Sequence, residues 1–256
     1  MHSVYVIFKG ELKRSRPIFL VVGTDTDVGK TVFSGLLGKY LKGRGVGIRL
    51  AKPFCSGGKG DVEFLQACSA HGQAEVNYWY DNEPISPASW ELRSGEKVDF
   101  EAIVSWLKEG FQSLAEDVLL VEGVGGLLAP ITSKHKVASI AQELGSKLII
   151  IAQNRVGVLN HVLLTVDAAL SRGLSIACVI LMRQEEPDAS SADNAELICM
   201  HIPNIPDFKG VFEFPWLGRD ASNINLIPNN VKKADSVLEK IFDKVFKPYF
   251  INVLRN

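Results

Sequence analysis

The 256-residue sequence predicts an α/β fold, a doubly wound and mostly parallel sheet with helices on both faces. Two observations predict it. Short, continuous apolar runs rich in β-branched residues recur along the chain, and amphipathic stretches of helical length separate them. Ile18–Val22, Val118–Val121, Leu148–Ala152 and Ile176–Leu181 lack polar alternation, as strands covered on both faces do. Val46–Ala51 is a weaker member of the set. Lys30–Lys42 places Val32, Phe33, Leu36, Leu37, Tyr40 and Leu41 on one broad face and stops at Gly43. Phe100–Leu114, Val158–Leu170 and Lys232–Phe246 repeat that pattern. Tyr78–Gly95, with Pro84 and Pro87, reads as an irregular excursion, and so does Arg183–Asp207. Residues 18–256 are expected to form one domain. Met1–Pro17 is expected to be a flexible or loosely added arm, with an edge strand at Val4–Phe8 as the alternative.

Composition narrows the function. The chain carries 28 basic and 29 acidic side chains, a formal charge of -1, which supplies no polybasic coat for nucleic acid or a membrane surface. No run approaches the ~18 apolar residues that cross a bilayer. The first residues put their apolar side chains ahead of Lys9, Lys13, Arg14 and Arg16, the reverse of a secretory signal. Cys55, Cys68, Cys178 and Cys199 form no C-x-x-C pair, so reduced structural thiols in a cytoplasmic protein are expected. His2, His71, His135, His161 and His201 lack metal-ligand spacing, which argues against zinc. No G-x-S-x-G elbow is present, and the tryptophans are too scattered for a base-stacking platform.

The most informative segment is Gly23-Thr-Asp-Thr-Asp-Val-Gly-Lys-Thr31, which follows a buried strand and opens a helix. There, successive backbone N–H groups and the helix N-terminus face a polyphosphate, Lys30 supplies a point charge, and the Thr31 hydroxyl serves a Mg²⁺ ion. The common pattern has four residues between its glycines, whereas five separate Gly23 from Gly29. Strict register therefore puts Thr24 at the first glycine position. Nucleotide phosphate binding is the leading reading of this strand–loop–helix setting, and a plain glycine turn is the alternative. Lys30 and Thr31 are expected to be exposed at the helix start.

Ligands of open α/β sheets bind outside the carboxyl ends of the strands. Lys52-Pro53 follows one strand and leads into Cys55-Ser56-Gly57; Glu122 ends another before Gly123-Val-Gly-Gly126. Asp61 sits at the expected start of a helix, where it either caps that helix or joins Thr31 and Glu122 around Mg²⁺. Lys52 is either a solvated lysine or a second cation beside the phosphates, stabilising charge that develops in phosphoryl transfer.

Together these residues resemble the dethiobiotin synthetase family. The resemblance rests on Gly23–Thr31, Lys52-Pro-Phe-Cys-Ser-Gly57, Glu83-Pro-Ile-Ser-Pro87, Val121-Glu-Gly-Val-Gly-Gly126, Asn160-His161 with Leu164-Thr165, and Phe214-Pro-Trp-Leu217. In that family the five-residue spacing of the first loop is the normal one. The resemblance implies a fold of the P-loop nucleoside triphosphate hydrolase type and a cytoplasmic homodimer in biotin biosynthesis. It implies a reaction in which CO₂, ATP and Mg²⁺ convert the diamino acid 7,8-diaminononanoate into a cyclic urea, through a carbamate phosphorylated by ATP. Implied nucleotide contacts are Gly23, Asp25, Thr26, Asp27, Val28, Gly29, Lys30 and Thr31, with Met182, Pro215 and Leu217 near the base. Lys30, Lys52, Thr26 and Ser56 are the implied catalytic set, and Thr31, Asp61 and Glu122 the magnesium neighbourhood. Ser56, Glu122, Gly157, Val158 and Asn160 are the implied substrate contacts, the last three across the dimer; an ordinary helix start is the alternative reading of Gly157–Asn160.

Two departures stand against the family pattern. Pro87-Ala88 replaces a Pro-His pair, and Met182 replaces an asparagine that reads adenine; a thioether lacks the amide's paired donor and acceptor. Three other readings remain open at this point: a related ATP-dependent carboxylate- or amide-forming synthetase, a nucleotide-dependent dimerising switch, and a binding protein that has lost turnover.

Overall fold

The computed structural model describes residues 16–69, 76–114 and 116–250. Most of the expected N-terminal arm, including Val4–Phe8, lies outside them. The arm's last residues are anchored: Arg16 donates to the carbonyls of Leu114 and Glu116 at 3.0 and 2.9 Å and lies over the Phe111 ring.

In chain order the elements are β1 (Ile18–Gly23), α1 (Lys30–Gly43), β2 (Ile48–Ala51), β3 (Phe54–Ser56), α2 (Gly60–Cys68), β4 (Trp79–Asp81), α3 (Pro87–Ser94) and α4 (Phe100–Ser113). They continue with β5 (Val118–Gly126), α5 (Val137–Leu144), β6 (Lys147–Gln153), α6 (Val158–Leu170), β7 (Ser175–Met182), α7 (Asn194–His201), β8 (Val211–Phe214) and α8 (Ile227–Ile241). The main sheet has the order β2-β5-β1-β6-β7-β8, and its pairs are all parallel. Strand periodicity divides the core. Phe19 and Val21 of β1 pack with α1, α2 and α8, whereas Leu20 and Val22 pack with α4, α5 and α6. Each inner strand is thus buried on both sides, which is why its sequence shows no alternation.

β1 lies between β5 and β6, and the chain leaves it toward β2 on one side and later returns to β6 on the other. This reversal opens a crevice at the carboxyl ends of the strands. The β1–β5 register shifts between Val21 and Gly23, so that Val21 faces Glu122 but Gly23 faces Gly126. That irregularity lets β5 splay away just after Glu122. A small parallel pair, β3–β4, extends the crevice beside β2, tied by Lys52 N–H to the Val76 carbonyl at 2.6 Å. Among the described residues no helix is long and apolar enough to cross a membrane.

Several expectations change. Tyr78–Gly95 contains β4 and α3: Pro87 sits in the first helical turn, where its missing N–H is harmless, and the Ser86 hydroxyl caps Ser89 N–H at 3.1 Å. Arg183–Asp207 contains a 3₁₀ turn, Ala189–Ala192, and α7, whose one strongly anchored apolar side chain, Ile198, gives a faint periodic signal. The last helix begins at Ile227, with Pro228 in its first turn, and after Ile241 it widens into a π-helical turn at Phe242–Phe246. α5 and the edge strand β8 were not among the sequence expectations. Among the cysteines, Cys55, Cys68 and Cys178 are buried free thiols, but Cys199 is exposed.

The contact of α1 with α2 positions the site, because α2 carries Asp61. Gly35 lies at that contact, and a Cβ there would meet Phe64 at 2.5 Å and Cys68 Sγ at 3.0 Å. Phe64 is fully buried, so it has no room to yield. We predict that Gly35→Val destabilises the protein by about 1–3 kcal/mol through overpacking and weakens nucleotide binding as α2 is displaced. Urea unfolding followed by tryptophan fluorescence measures this; an unchanged midpoint contradicts it.

A candidate nucleotide site at the ends of β1, β2 and β5

The loop after β1 is shaped by two left-handed residues, Asp27 at φ 53° and Gly29 at φ 97°. Such alternation turns successive N–H groups to one side, forming an anion-binding concavity. Gly29 also ends the loop as the residue preceding α1, whose first turn carries no side-chain cap and no acidic residue. The orphan amides and positive end of the helix dipole are therefore left for an anion. Gly23 contributes through its backbone, since a Cβ there would collide with the Asp25 carbonyl. Gln153 at the end of β6 donates to the Asp27 carbonyl at 3.1 Å and pins the strained residue. Asp25 stabilises the turn by accepting Thr26 N–H at 2.7 Å.

Lys30 is buried rather than exposed, and Thr31 is half-buried. The loop folds back over Lys30 Nζ, which donates to the Asp25 carbonyl at 3.2 Å. Burial pushes the Lys30 ammonium below its usual range, opposed by the Glu122 carboxylate. An anion at the loop would restore the balance.

Lys52 is the centre of the site's charge network. Its Nζ lies 2.6 Å from Glu122 Oε1 and 2.8 Å from Asp61 Oδ2. Thr31 Oγ1 donates to the same Glu122 oxygen at 2.7 Å. Burial alone would lower the Lys52 pKa, but Glu122 and Asp61 outweigh it and hold the ammonium above the usual lysine range. For Asp61 burial works upward, and the Lys52 ammonium beside it brings the carboxyl below its usual value. Asp61 does not cap α2: Lys59 is the cap residue, and the Asp61 carboxylate turns toward Lys52 instead. Lys52 is correspondingly no solvated lysine.

Glu122 Oε2 is buried without a hydrogen-bond partner among the described residues. An orphaned carboxylate oxygen, a neighbouring hydroxyl and a second carboxylate at Asp61 form an all-oxygen donor set suited to a hard divalent cation that keeps water and phosphate ligands. Among the described residues no three His, Cys, Asp or Glu side chains form a metal cluster, so this set does not suit a fully protein-ligated ion.

A cavity of about 640 Å³ gathers Thr26, Lys30, Thr31, Lys52, Ser56, Asp61 and Glu122. Beside it, a cavity of about 220 Å³ joins Asp27, Val28 and Gly29 to Met182, Pro215 and Leu217. The sequence-derived loop, lysine, carboxylate and base-end residues thus converge. Gly157, Val158 and Asn160 do not line either cavity. Gly157, at φ 90°, opens α6; Val158 is buried, and its N–H already donates to the Arg155 carbonyl at 3.1 Å. Arg219 and Ser222 line the larger cavity and were missed, as was Gln153 beside the smaller one. Isolated polar residues in loops and at strand ends carry no periodic or motif signal; the one signal that could have found them is their place after Phe214–Leu217 or at the end of β6.

The family described as an AAA domain matches residues 18–219. The ATP-dependent dethiobiotin synthetase BioD of Bacillus thuringiensis (strain Al Hakam) is 31% identical over 195 residues, 73% of this chain and 80% of that protein. The protein of the same name from Corynebacterium glutamicum (strain R) is 29% identical over 228 residues, 88% of this chain and 93% of its own length. Among solved structures, chloroplast FtsY from Physcomitrella patens is similar at 17% identity and a TM-score of 0.45, over 86% of this chain and 67% of that one. With its phosphate loop, parallel sheet and strand-end charges in place, the chain belongs to the ATP-dependent dethiobiotin synthetase family, on a P-loop ATP-binding enzyme fold.

Proposed function

We propose that the protein is an ATP-dependent dethiobiotin synthetase that carboxylates 7,8-diaminononanoate with CO₂ and closes the cyclic urea, with residues 18–256 working as one domain. The observation that carries this reading is the second buried ammonium. The phosphate-loop motif accounts for Lys30; Lys52, kept charged by Glu122 and Asp61 in the same cavity, lies outside that motif and supplies a cation for a second anion. A carbamate is such an anion.

In this reading one substrate amine attacks CO₂ and loses a proton to give the carbamate. A carbamate oxygen then attacks the γ-phosphorus of ATP, and ADP departs. The second amine attacks the carbamoyl carbon, loses its proton, and expels phosphate. The substrate provides both nucleophiles, so the chain's task is alignment, charge neutralisation and exclusion of water. The loop amides and Lys30 orient the β- and γ-phosphates. Lys52 faces the carbamate and the transferring phosphoryl oxygens, and Thr26 and Ser56 orient the carbamate by hydrogen bonding. Thr31, Asp61 and Glu122 would hold Mg²⁺, which supplies charge neutralisation at the phosphate oxygens.

Gly157, Val158 and Asn160 are proposed to meet the substrate carboxylate of a partner subunit. Support comes from this helix and the turn before it, where Leu164 and Val156 are 59% and 72% exposed, apolar surface suited to a homodimer contact.

Purified protein incubated with Mg²⁺, ATP, bicarbonate and the diamino acid is predicted to form the cyclic urea, identified by mass, with one ADP per ring. ATP hydrolysis independent of the diamino acid, with no ring product, would instead favour the nucleotide-switch reading. Lys30→Ala is predicted to lower kcat/KM by at least about 100-fold while leaving the thermal unfolding midpoint near that of the parent protein. Equal turnover would remove Lys30 from the site. The lowered pKa of Lys30 gives a third prediction. A bound phosphate raises that pKa, so binding a non-hydrolysable ATP analogue takes up protons at alkaline pH, and affinity weakens as pH rises through the free protein's lowered value. Calorimetry across the alkaline range in buffers of different ionisation enthalpy measures the uptake; proton release would contradict it.

A further inference from the structure

Arg219 stands apart from the other cations of the site. The larger cavity is lined by the cations Lys30, Lys52 and Arg219 and by the carboxylates Asp27, Asp61 and Glu122. Lys52 is held by two carboxylates, and Lys30 Nζ is covered by the loop and donates to the Asp25 carbonyl at 3.2 Å. The Arg219 side chain is 84% exposed and, among the described residues, is held by Glu185, whose Oε2 accepts from its Nε at 3.2 Å and its Nη2 at 3.0 Å. A magnesium-bound triphosphate still carries net negative charge, which a lining of equal opposite charges leaves unmatched.

Position adds to charge. Arg219 lines both the cavity of Lys30 and Lys52 and the cavity of Met182, Pro215 and Leu217. It therefore borders the junction between the phosphate end and the base end. Its backbone is fixed from both sides: Leu217 is buried in the core, and the Ala221 carbonyl accepts from Asn230 Nδ2 at 3.1 Å. Between these anchors only Gly218, Arg219 and Asp220 intervene, so a change at Arg219 is a swing of its side chain, not the closure of a loop. An exposed ion pair is a weak restraint. A guanidinium on phosphate makes two parallel charge-assisted hydrogen bonds, a stronger arrangement.

We propose that Arg219 is a nucleotide-binding residue that leaves Glu185 and clamps the α- and β-phosphates of the bound nucleotide, Glu185 acting as its resting partner and competitor. The inference rests on the nucleotide reading of the two cavities. It is separate from the carbamate chemistry, because the clamp grips the part of the nucleotide common to substrate and product.

Calorimetric titration of the full chain with ADP, a non-hydrolysable ATP analogue and adenosine tests it, using the parent protein, Arg219→Gln, Arg219→Lys and Glu185→Gln. Arg219→Gln is expected to weaken both phosphorylated ligands about tenfold, the loss of one charge-assisted contact, and to leave adenosine unchanged. Arg219→Lys should lie between. Glu185→Gln should move the other way, tightening both nucleotides about twofold to fivefold as the competing carboxylate is lost. In the synthetase assay the Arg219 variants should raise KM for ATP with little change in kcat. Unchanged nucleotide affinity in Arg219→Gln overturns the proposal. So does a weakening in Glu185→Gln equal to that in Arg219→Gln, which would make the pair a structural tie. If the parent protein binds no nucleotide, the nucleotide reading itself fails; if it binds equally with and without Arg219, the clamp alone fails.

Discussion

The site depends on one buried ammonium. Lys52 leaves the end of β2 and joins Asp61 of α2 to Glu122 of β5, while Glu122 Oε1 also accepts from Thr31 at the start of α1. Four segments distant in sequence are tied through one charge. Removing a lysine from water costs several kcal/mol, and attraction to carboxylates recovers that cost only when the geometry is close. Here two carboxylates lie within 2.8 Å, and Lys52 and Glu122 are both buried. The network therefore fixes where α2 sits against the sheet, and with α2 the β3 segment that carries Ser56. Loss of Lys52 or of Glu122 would leave the other's charge uncompensated in a buried place, whereas Asp61, at the exposed side of the network, is less costly to lose.

The phosphate loop is organised differently, by backbone geometry rather than by side-chain charge. A non-glycine residue in the left-handed region, as at Asp27, costs on the order of 1 kcal/mol or more. Gln153 holds its carbonyl from β6, and the β1–β5 register shift places Gly23 opposite Gly126 so that both chains pass closely. The amides are thus aimed before any ligand arrives. Preorganisation of this kind spares a ligand the entropy of ordering the loop. It also explains why the five-residue spacing works: the extra residue is absorbed by a second left-handed turn instead of a glycine at the strict first position.

How much of this was legible in the sequence follows from how local each signal is. The inner strands were legible because burial on both faces removes alternation, and β1, β6 and β7 match their apolar runs closely. α1 and α6 were legible from a broad apolar stripe. The short β3 and β4 were not, since three residues give no period, and α3 was hidden because its prolines read as breakers when one of them starts the helix. At the site, the loop and Glu122 were readable because each ends a buried strand. The burial of Lys30 and the pairing of Lys52 with Asp61 were not, because the first depends on the loop folding back over Nζ and the second on how α2 returns to the sheet. An overall charge of -1 gave no hint of them, since the site is built from opposite charges that cancel.

Met182 shows how a departure from a family pattern alters physical emphasis. Its side chain packs against the phosphate loop: a Cβ on Gly29 would meet Met182 Cε at 2.9 Å and Cγ at 3.3 Å. The residue standing where an amide was expected therefore buttresses the loop. The nearby amides of Gln153 and Gln184 donate to the carbonyls of Asp27 and Met182, which occupies part of their hydrogen-bonding capacity within the protein. Pro215, Trp216 and Leu217 add mainly apolar surface at this end. Apolar contact follows area and is insensitive to which base edge is presented, whereas hydrogen bonds discriminate because a mismatch leaves a buried polar group unpaired. In the proposed reading the balance of recognition accordingly lies with the triphosphate, which left-handed backbone turns and buried cations would grip, more than with the base.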